Sequence, residues 1–291
     1  MISQNDIDLI EKEALLTNNF GRIKIRKLDK TRISIRILLS ILALITIVKL
    51  LTLDFRGMTF TVALPQFFTN LEAIFLRPQL SYRVEWSAIL IGRNGVFPTI
   101  ALAIVSTILG GIISFFLALL AARNLSPKSV SVVVRMIMSF IRAIPAIVWV
   151  LVFAAAIGMG SEAAVIGLVF QGMAFLVKAY SETIEEVDSG VIEALKASGA
   201  TWWQVVFQAV IPSCLTAMLS WTFIRMEINF AHAVAVGAAA GVGGIGFTLV
   251  QSGSLEFDMR EVGVIVYILI AVSIVFELIS IQMRKRLLVK H

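Results

Sequence analysis

Long apolar runs separated by short polar breaks dominate the chain. Runs at Ile33–Leu53, Val96–Ala122, Ser131–Ile157, Ala163–Tyr180, Ser213–Val236 and Glu261–Met283 each have about the length at which a helix crosses the hydrocarbon of a bilayer. The pattern predicts an all-α, polytopic membrane protein with about six transmembrane helices. Between the first two runs, Phe60, Leu64, Phe67, Phe68, Leu71, Ile74 and Phe75 form an apolar stripe, with Pro65 near its start. Tyr82 and Trp86 follow and suit a membrane–water boundary, which predicts an interfacial helix leading into the second span. Ahead of the first run, Ile7, Ile10 and Ala14 lie at helical spacing with Asp6 as a cap, and a basic stretch follows. The rival reading of that first run is a secretory signal, but the run starts late, is long for a signal core and lacks a small-residue cleavage site. Gly158-Met159-Gly160-Ser161 predicts a tight turn. Gly237–Gly253, rich in Gly and Ala, predicts a broken or re-entrant piece.

One polar stretch interrupts the apolar second half. Residues Glu182 to Pro212 carry Glu182, Glu185, Glu186, Asp188 and Glu193 against Lys196 alone. Asp188-Ser189-Gly190 predicts a turn and a helix start, and Gly199 a helix stop in the left-handed conformation. Trp202, Val205, Val206, Ala209 and Val210 then repeat on one helical face. Two short helices that project from the membrane and meet at a glycine are expected here, a shape on which a soluble partner can push. The plainer alternative is an ordinary amphipathic loop.

Composition narrows the class. The chain is 58% apolar and 15% charged over 291 residues, where a soluble domain is nearer half apolar and about a quarter charged. Cys214 is the single cysteine, which excludes an intrachain disulfide and a cysteine metal cluster. His232 and His291 are the only histidines, so a histidine-rich metal site is excluded as well. The net charge of +6 lies mostly at the two ends, beside apolar segments, with Arg123, Lys128 and Arg135 in the loop after the second span. That is a topology signal and not a nucleic-acid patch: six spans place both termini, this loop and the acidic stretch on the cytoplasmic side. No Gly-x-x-x-x-Gly-Lys-Ser/Thr sequence occurs, so ATP binding through a P-loop is not expected, and energy must come from a partner or an ion gradient.

The residues also carry a resemblance. Glu193-Ala194-Leu195, then Gly199, then Ile211-Pro212 resembles the EAA loop of ABC importer permeases, with Leu195 in place of the second alanine and Ile211 in place of a leucine. Ala121-Ala122-Arg123-Asn124, Arg142-Ala143-Ile144-Pro145, Tyr180-Ser181-Glu182, Glu185-Glu186-Val187-Asp188, Glu227-Ile228-Asn229 and Gly243-Gly244-Ile245-Gly246-Phe247, in that order, resemble the phosphonate-type permeases from about Val96 to the carboxyl end. Two departures stand out: Ala231, beside His232, where that family has an arginine, and Glu277 where it has an aspartate. The resemblance implies a type I ABC importer permease bundle in a bacterial cytoplasmic membrane, a transport subunit and not itself an enzyme. It implies residues 1–32 as a cytoplasmic segment, 33–283 as the permease domain with a coupling loop at 182–212, and 284–291 as a basic cytoplasmic tail. Expected partners are two cytoplasmic ATPase subunits, which would carry ATP and Mg, an extracytoplasmic binding protein, a second copy of the chain and membrane lipid. The cargo implied is phosphonate, phosphite or phosphate. ATPase coupling would rest on Glu185, Glu186, Asp188, Glu193, Ala194, Leu195, Gly199 and Ala200.

Polar residues inside the spans supply the candidate pathway. Arg142 and Arg225 fall near the middles of their runs, with Glu227, Asn229 and His232 further along the fifth. Charge at that depth faces a cavity or a partner, or else forms an internal ion pair such as Arg142 with Glu227. Gly241-x-Gly243-x-x-Gly246 formally matches a dinucleotide fingerprint, but it follows a membrane span and not a strand. Close backbone packing or an unwound pore segment fits its context better, and Gly237-x-x-x-Gly241 could also bring helices close. The pathway candidates are Arg142, Pro145, Arg225, Glu227, Asn229, Gly243, Gly244 and Gly246. Arg142 leads because Pro145 beside it can open the helix backbone. Alternatives are an importer for an amino acid or other small solute, an ion-coupled secondary transporter, for which no inverted repeat is visible, and an intramembrane serine hydrolase built on Ser161 and His232, around which no nucleophile motif stands.

Overall fold

The computed structural model describes residues 30–52, 60–82 and 84–288. The expected helix at Ile7–Ala14 with its Asp6 cap, most of the basic stretch before the first span and the end of the basic tail lie outside them. Helices and turns make up the described residues, and no strand occurs among them.

The chain divides into two compact units, residues 1–65 and 66–291. In the first, α1 (Lys30–Thr52) occupies the first predicted span. Its Thr46 and Thr52 hydroxyls each donate to the carbonyl four residues back, at 2.8 Å, which satisfies them inside an apolar helix. α2 (Phe60–Leu76) runs across the division and carries Pro65.

In the second unit the short α3 (Trp86–Leu90) leads into α4 (Val96–Ala121). α5 (Lys128–Ala143), α6 (Ala146–Ile157) and α7 (Ser161–Glu185) follow, then α8 (Ser189–Ala197) and α9 (Trp202–Val205). α9 continues through a π-helical turn (Val206–Val210) into α10 (Ile211–Ala240). α11 (Ile245–Val250), a second π turn (Gln251–Leu255) and α12 (Met259–Leu288) complete the unit. Among the described residues four helices are long and apolar enough to cross a membrane, or five if the bent pair α5–α6 is one span.

α4 shows how the bundle closes. Its buried face is made of small residues, among them Thr99, Ala103, Ser106, Gly110, Ser114 and Ala118, while Val105, Ile108, Leu109, Ile112 and Phe116 point outward. Small side chains let helices approach closely, and large apolar ones facing outward fit a hydrocarbon solvent. Ser114 donates back to Gly110 O and lies 3.2 Å from Met173 O on α7. α7 is the central helix and is largely buried along its length. The end of α2 lies along α12: the Tyr267 hydroxyl donates to Phe75 O at 2.7 Å, and a Cβ on Gly263 would stand 2.2 Å from Ile74 O.

The third predicted span, Ser131–Ile157, is corrected. It is two helices meeting at 90°. Pro145 has no N–H to give and forces its predecessor out of the helical region; Ile144 sits at φ −95°, ψ 128°. Trp149 bridges the corner, its indole N–H donating to Ile141 O at 3.0 Å while its ring meets Phe170 edge-on at 4.7 Å. The fifth span starts and ends outside its predicted limits, because α9, the π turn and α10 form one 39-residue helix. At about 1.5 Å per residue it is about 58 Å long, roughly twice the hydrocarbon thickness, so part of it projects beyond the membrane.

Candidate functional site

Two places where helices break hold most of the polar residues that the sequence singles out. The first is the Glu182–Pro212 stretch. α7 ends at Glu185, and Asp188 caps α8 by accepting the Gly190 N–H at 2.8 Å. α8 stops at Gly199, whose φ is +84°. Ala200 N–H donates to Leu195 O and Gly199 N–H to Lys196 O, both at 3.0 Å, the pair of bonds that closes a helix through a left-handed residue. Thr201 starts the next helix, with Gln204 Oε1 accepting its N–H at 2.7 Å. The helix start at Asp188–Gly190 and the stop at Gly199 lie where the sequence predicts them, whereas α7 runs on to Glu185, past the predicted end at Tyr180.

α8 has two faces. Ile192 (3% exposed) is buried and Leu195 packs beside it on a core formed by Leu119, Ile184, Val205, Val206 and Met218. Leu195 therefore fills core space from the position where the resembling family has alanine. Val191, Glu193, Ala194, Lys196 and Ser198 are exposed, as are Glu186 and Asp188 on the approach. Ala200 is half-buried against the same core as Leu195. Glu185, a coupling candidate, faces inward. It accepts the Arg123 N–H at 2.7 Å and pairs with Arg135 Nη2 at 2.5 Å, both side chains being 24% exposed.

The short loop after α4 ties this stretch down. Besides the Arg123 N–H, Asn124 Nδ2 donates to Ile184 O at 2.8 Å and Leu125 O accepts the Trp202 indole N–H at 3.0 Å. Arg135 Nε also reaches Ala121 O at 2.8 Å. Three consecutive residues thus hold the end of α7 and the start of the long helix at fixed spacing on either side of α8. The motif Arg123-Asn124 and the loop charges Arg123 and Arg135 do not by themselves predict these bonds. The clue in the sequence is Trp202, whose N–H needs a partner when the ring is partly buried.

The π turn at Val206–Val210, where Ile211 N–H reaches back to Val206 O, also went unforeseen. Pro212 cannot donate to the carbonyl four residues back and its ring crowds that carbonyl, so a wider turn ahead of it relieves both.

The second break is the Gly241–Gly244 turn between α10 and α11. Gly244 N–H donates to Arg93 O at 3.2 Å and Ile245 N–H to the Thr99 hydroxyl at 2.9 Å. The Thr248 hydroxyl donates to Asn94 O at 2.7 Å. A Cβ on Gly246 would stand 1.9 Å from Val234 O, so the α11 backbone lies against that of α10. Gly243 and Gly244 also border a cavity of about 140 Å³ with Arg93, Thr99 and Ser161. The break predicted at 237–253 is present, and helices flank the glycines, in keeping with the rejection of a dinucleotide fingerprint.

The remaining pathway candidates separate. Arg225 is 2% exposed and enclosed between α10 and α7, where Nη2 donates to Gln171 Oε1 and the guanidinium lies 5.5 Å from the Phe175 ring centre. Asn229 is wholly buried, its Nδ2 reaching Thr107 Oγ1 at 2.9 Å and Ser106 Oγ at 3.3 Å on α4. Glu227 and Arg142 are half-buried, Pro145 is exposed, and no ion pair joins Arg142 to Glu227. No described group of three or more His, Cys, Asp or Glu could hold a metal ion.

Residues 114–287 match the family model described as binding-protein-dependent transport system inner membrane component. The chain belongs to this family. It is an inner-membrane transport component, and its relatives include the phosphate-import permease protein PhnE of Mycolicibacterium smegmatis, 32% identical over 65% of this chain and 35% of that protein. The phosphite transport system permease protein PtxC of Stutzerimonas stutzeri is 33% identical over 64% of this chain and 68% of that one. The match therefore spans about a third of the first relative's length and two thirds of the second's. Among solved structures, the methionine ABC transporter MetNI in inward-facing conformations matches with a TM-score of 0.64 at 21% identity, over 72% of this chain and 99% of that one. An amino acid ABC transporter crystallised with histidines matches at 0.59, with 19% identity over the same shares. For this inner-membrane component the fold is that of ABC importer permeases, as the sequence predicts. The family match covers α8 with its flanking breaks and the Gly241–Gly244 turn.

Proposed function

We propose that this chain is the permease subunit of an ATP-driven importer for a phosphorus oxyanion: phosphonate, phosphite or phosphate. The observation that carries the mechanism is α8, a short helix with a buried apolar edge, an exposed edge bearing Glu193 and Lys196, acidic Glu186 and Asp188 on its approach, and side-chain bonds clamping both flanks. A partner pressing on Val191, Glu193, Ala194 and Ser198 would move the end of α7 and the start of α9 together, since the loop after α4 holds them. Two cytoplasmic ATPase subunits, one per permease copy in a homodimer, would supply that push, with ATP and Mg bound on the ATPases. A binding protein on the other side would deliver the anion. The names of the relatives favour phosphorus oxyanions over amino acids, although the solved structures of like fold include amino acid transporters.

Residues 1–32 and 284–291 would then be cytoplasmic. Single cysteines at Asn5 and Gly190, in a background lacking Cys214, should resist an impermeant thiol reagent in intact cells, while one at Arg77 should react. Labelling of Gly190 from outside would refute the docking role. Arg142, half-buried and without an acidic partner among the described residues, is the cation we assign to the pathway together with Pro145, Glu227 and the Gly243–Gly244 backbone; the enclosed Arg225, Asn229 and Gly246 would support it. ATPase activity of the reconstituted complex, with the binding protein and a panel of phosphonate, phosphite, phosphate and amino acids, tests the function. Stimulation by an amino acid alone would select the other importer class, and uptake driven by an ion gradient without ATP would overturn both.

A further inference from the structure

The cavity between α5 and α7 has the chemistry of an oxyanion site. It measures about 110 Å³ and is lined by Arg135, Ser139 and Arg142 of α5 and by Lys178, Ser181 and Glu182 of α7. That volume holds a few waters or one small tetrahedral anion. A larger cavity of about 490 Å³, bordered by Ile112, Phe115 and Leu215, is apolar apart from the Tyr180–Thr222 hydroxyl pair and offers an anion nothing.

Charge counting inside the small cavity leaves a surplus. Arg135 is taken by Glu185 at 2.5 Å. Lys178 stands 3.7 Å from Glu182, both about half exposed, an arrangement too loose and too wet to neutralise the ammonium firmly. Arg142 has no acid within salt-bridge distance among the described residues. A half-buried guanidinium with five donors and no anion is a favourable partner for a planar or tetrahedral oxyanion, which it can hold through two bonds at once. The Ser139 hydroxyl is exposed beside it.

We propose that this cavity binds a phosphate group, held by Arg142 from α5 and Lys178 from α7, with the Ser139 hydroxyl as a further donor. The group belongs either to a free phosphorus oxyanion or to an anionic lipid headgroup. Occupancy would join α5 to the last two turns of α7, from Lys178 to Glu185, just ahead of α8. Lys178 would exchange Glu182 for the anion, and Glu182 would turn to solvent. This deepens the proposed function, and for the free anion it rests on it.

The test uses the full chain in nanodiscs, with the thermal midpoint followed against inorganic phosphate at constant ionic strength set with chloride. In phosphatidylcholine discs phosphate should raise the midpoint of the unmodified protein. Arg142→Gln should raise the phosphate concentration for half the effect about tenfold, the loss of one charge-assisted bond. Lys178→Gln should do the same, Arg142→Lys should retain most of the effect, and Ser139→Asp, at an exposed position that tolerates change, should abolish it. If the source is lipid, phosphatidylglycerol discs alone should raise the midpoint, and Arg142→Gln should lose that rise. Equal shifts in the unmodified protein and in Ser139→Asp and Arg142→Gln, or no shift from either source, would overturn the site. Uptake in the reconstituted importer reports separately: a site that survives while no phosphorus oxyanion is carried would refute the function and leave the binding in place.

Discussion

The break at Gly199 and the break at Gly241–Gly244 both end a helix on glycine, yet they are fastened in opposite ways. Around Gly199 nothing would meet an added Cβ within 4 Å, and the only demand is the backbone angle. Its neighbours are held by side chains: Asp188 on Gly190, Glu185 on Arg123 and Arg135, and Trp202 on Leu125. Around Gly241–Gly246 the backbone itself comes close: Gly244 N–H donates to Arg93 O and Gly246 lies against Val234 O, while the Thr99 and Thr248 hydroxyls add bonds to Ile245 N–H and Asn94 O. A segment clamped at its edges by side chains can move as a unit while its exposed face stays free. One locked by backbone contact has no such freedom. The contrast is what the docking role proposed for α8 requires, with a rigid brace at the other break.

Gly246→Ala should be the most damaging change that probes this contrast. A Cβ 1.9 Å from Val234 O cannot be accommodated without parting α10 from α11, a loss of about 3 kcal/mol on the scale of overpacked interiors. Yield of folded protein and thermal midpoint would show it, and a normal midpoint would mean that the two helices are not packed as described. Arg135→Met should cost less, about 2 kcal/mol, the range for a charge-assisted bond, since Glu185 keeps the Arg123 N–H. A double-mutant cycle with Glu185→Gln measures the coupling directly, and additive losses would remove the clamp from the picture. Gly199→Ala should be mildest for folding, about 1 kcal/mol for a left-handed alanine. Its effect should instead appear as uncoupled ATPase activity in the reconstituted importer, with Gly199→Asn intermediate because asparagine tolerates that angle. If Gly199→Ala transports normally while Gly246→Ala also folds normally, the distinction between the two breaks fails.

Much of the Gly199 region was legible in the chain itself. The helix start at Asp188–Gly190, Gly199 as stop and the Val205–Val210 apolar face all rest on interactions within a few residues, where backbone geometry and side-chain type decide the outcome. The Glu185–Arg135 pair was not, because fifty residues separate its members and each is an ordinary loop or helix charge by itself.

The same division holds across the molecule. The sequence by itself determined that the protein is helical and membrane-embedded, roughly where its apolar helices lie, that Gly237–Gly253 is broken, and where the polar stretch interrupts them. These follow from hydrophobic run length and from local cap and glycine chemistry. Only the tertiary structure decided that Ser131–Ile157 is two helices at 90°, although Pro145 was in plain view, since proline permits a corner and only the packing of Trp149 on Phe170 sets its direction. It decided as well that Arg225 is enclosed by Gln171 and Phe175 while Arg142 opens onto a cavity. Depth along a span is a one-dimensional quantity that hydropathy reports. The direction in which a charge points depends on which helix stands next to it, and that is settled by contacts between residues far apart in the chain.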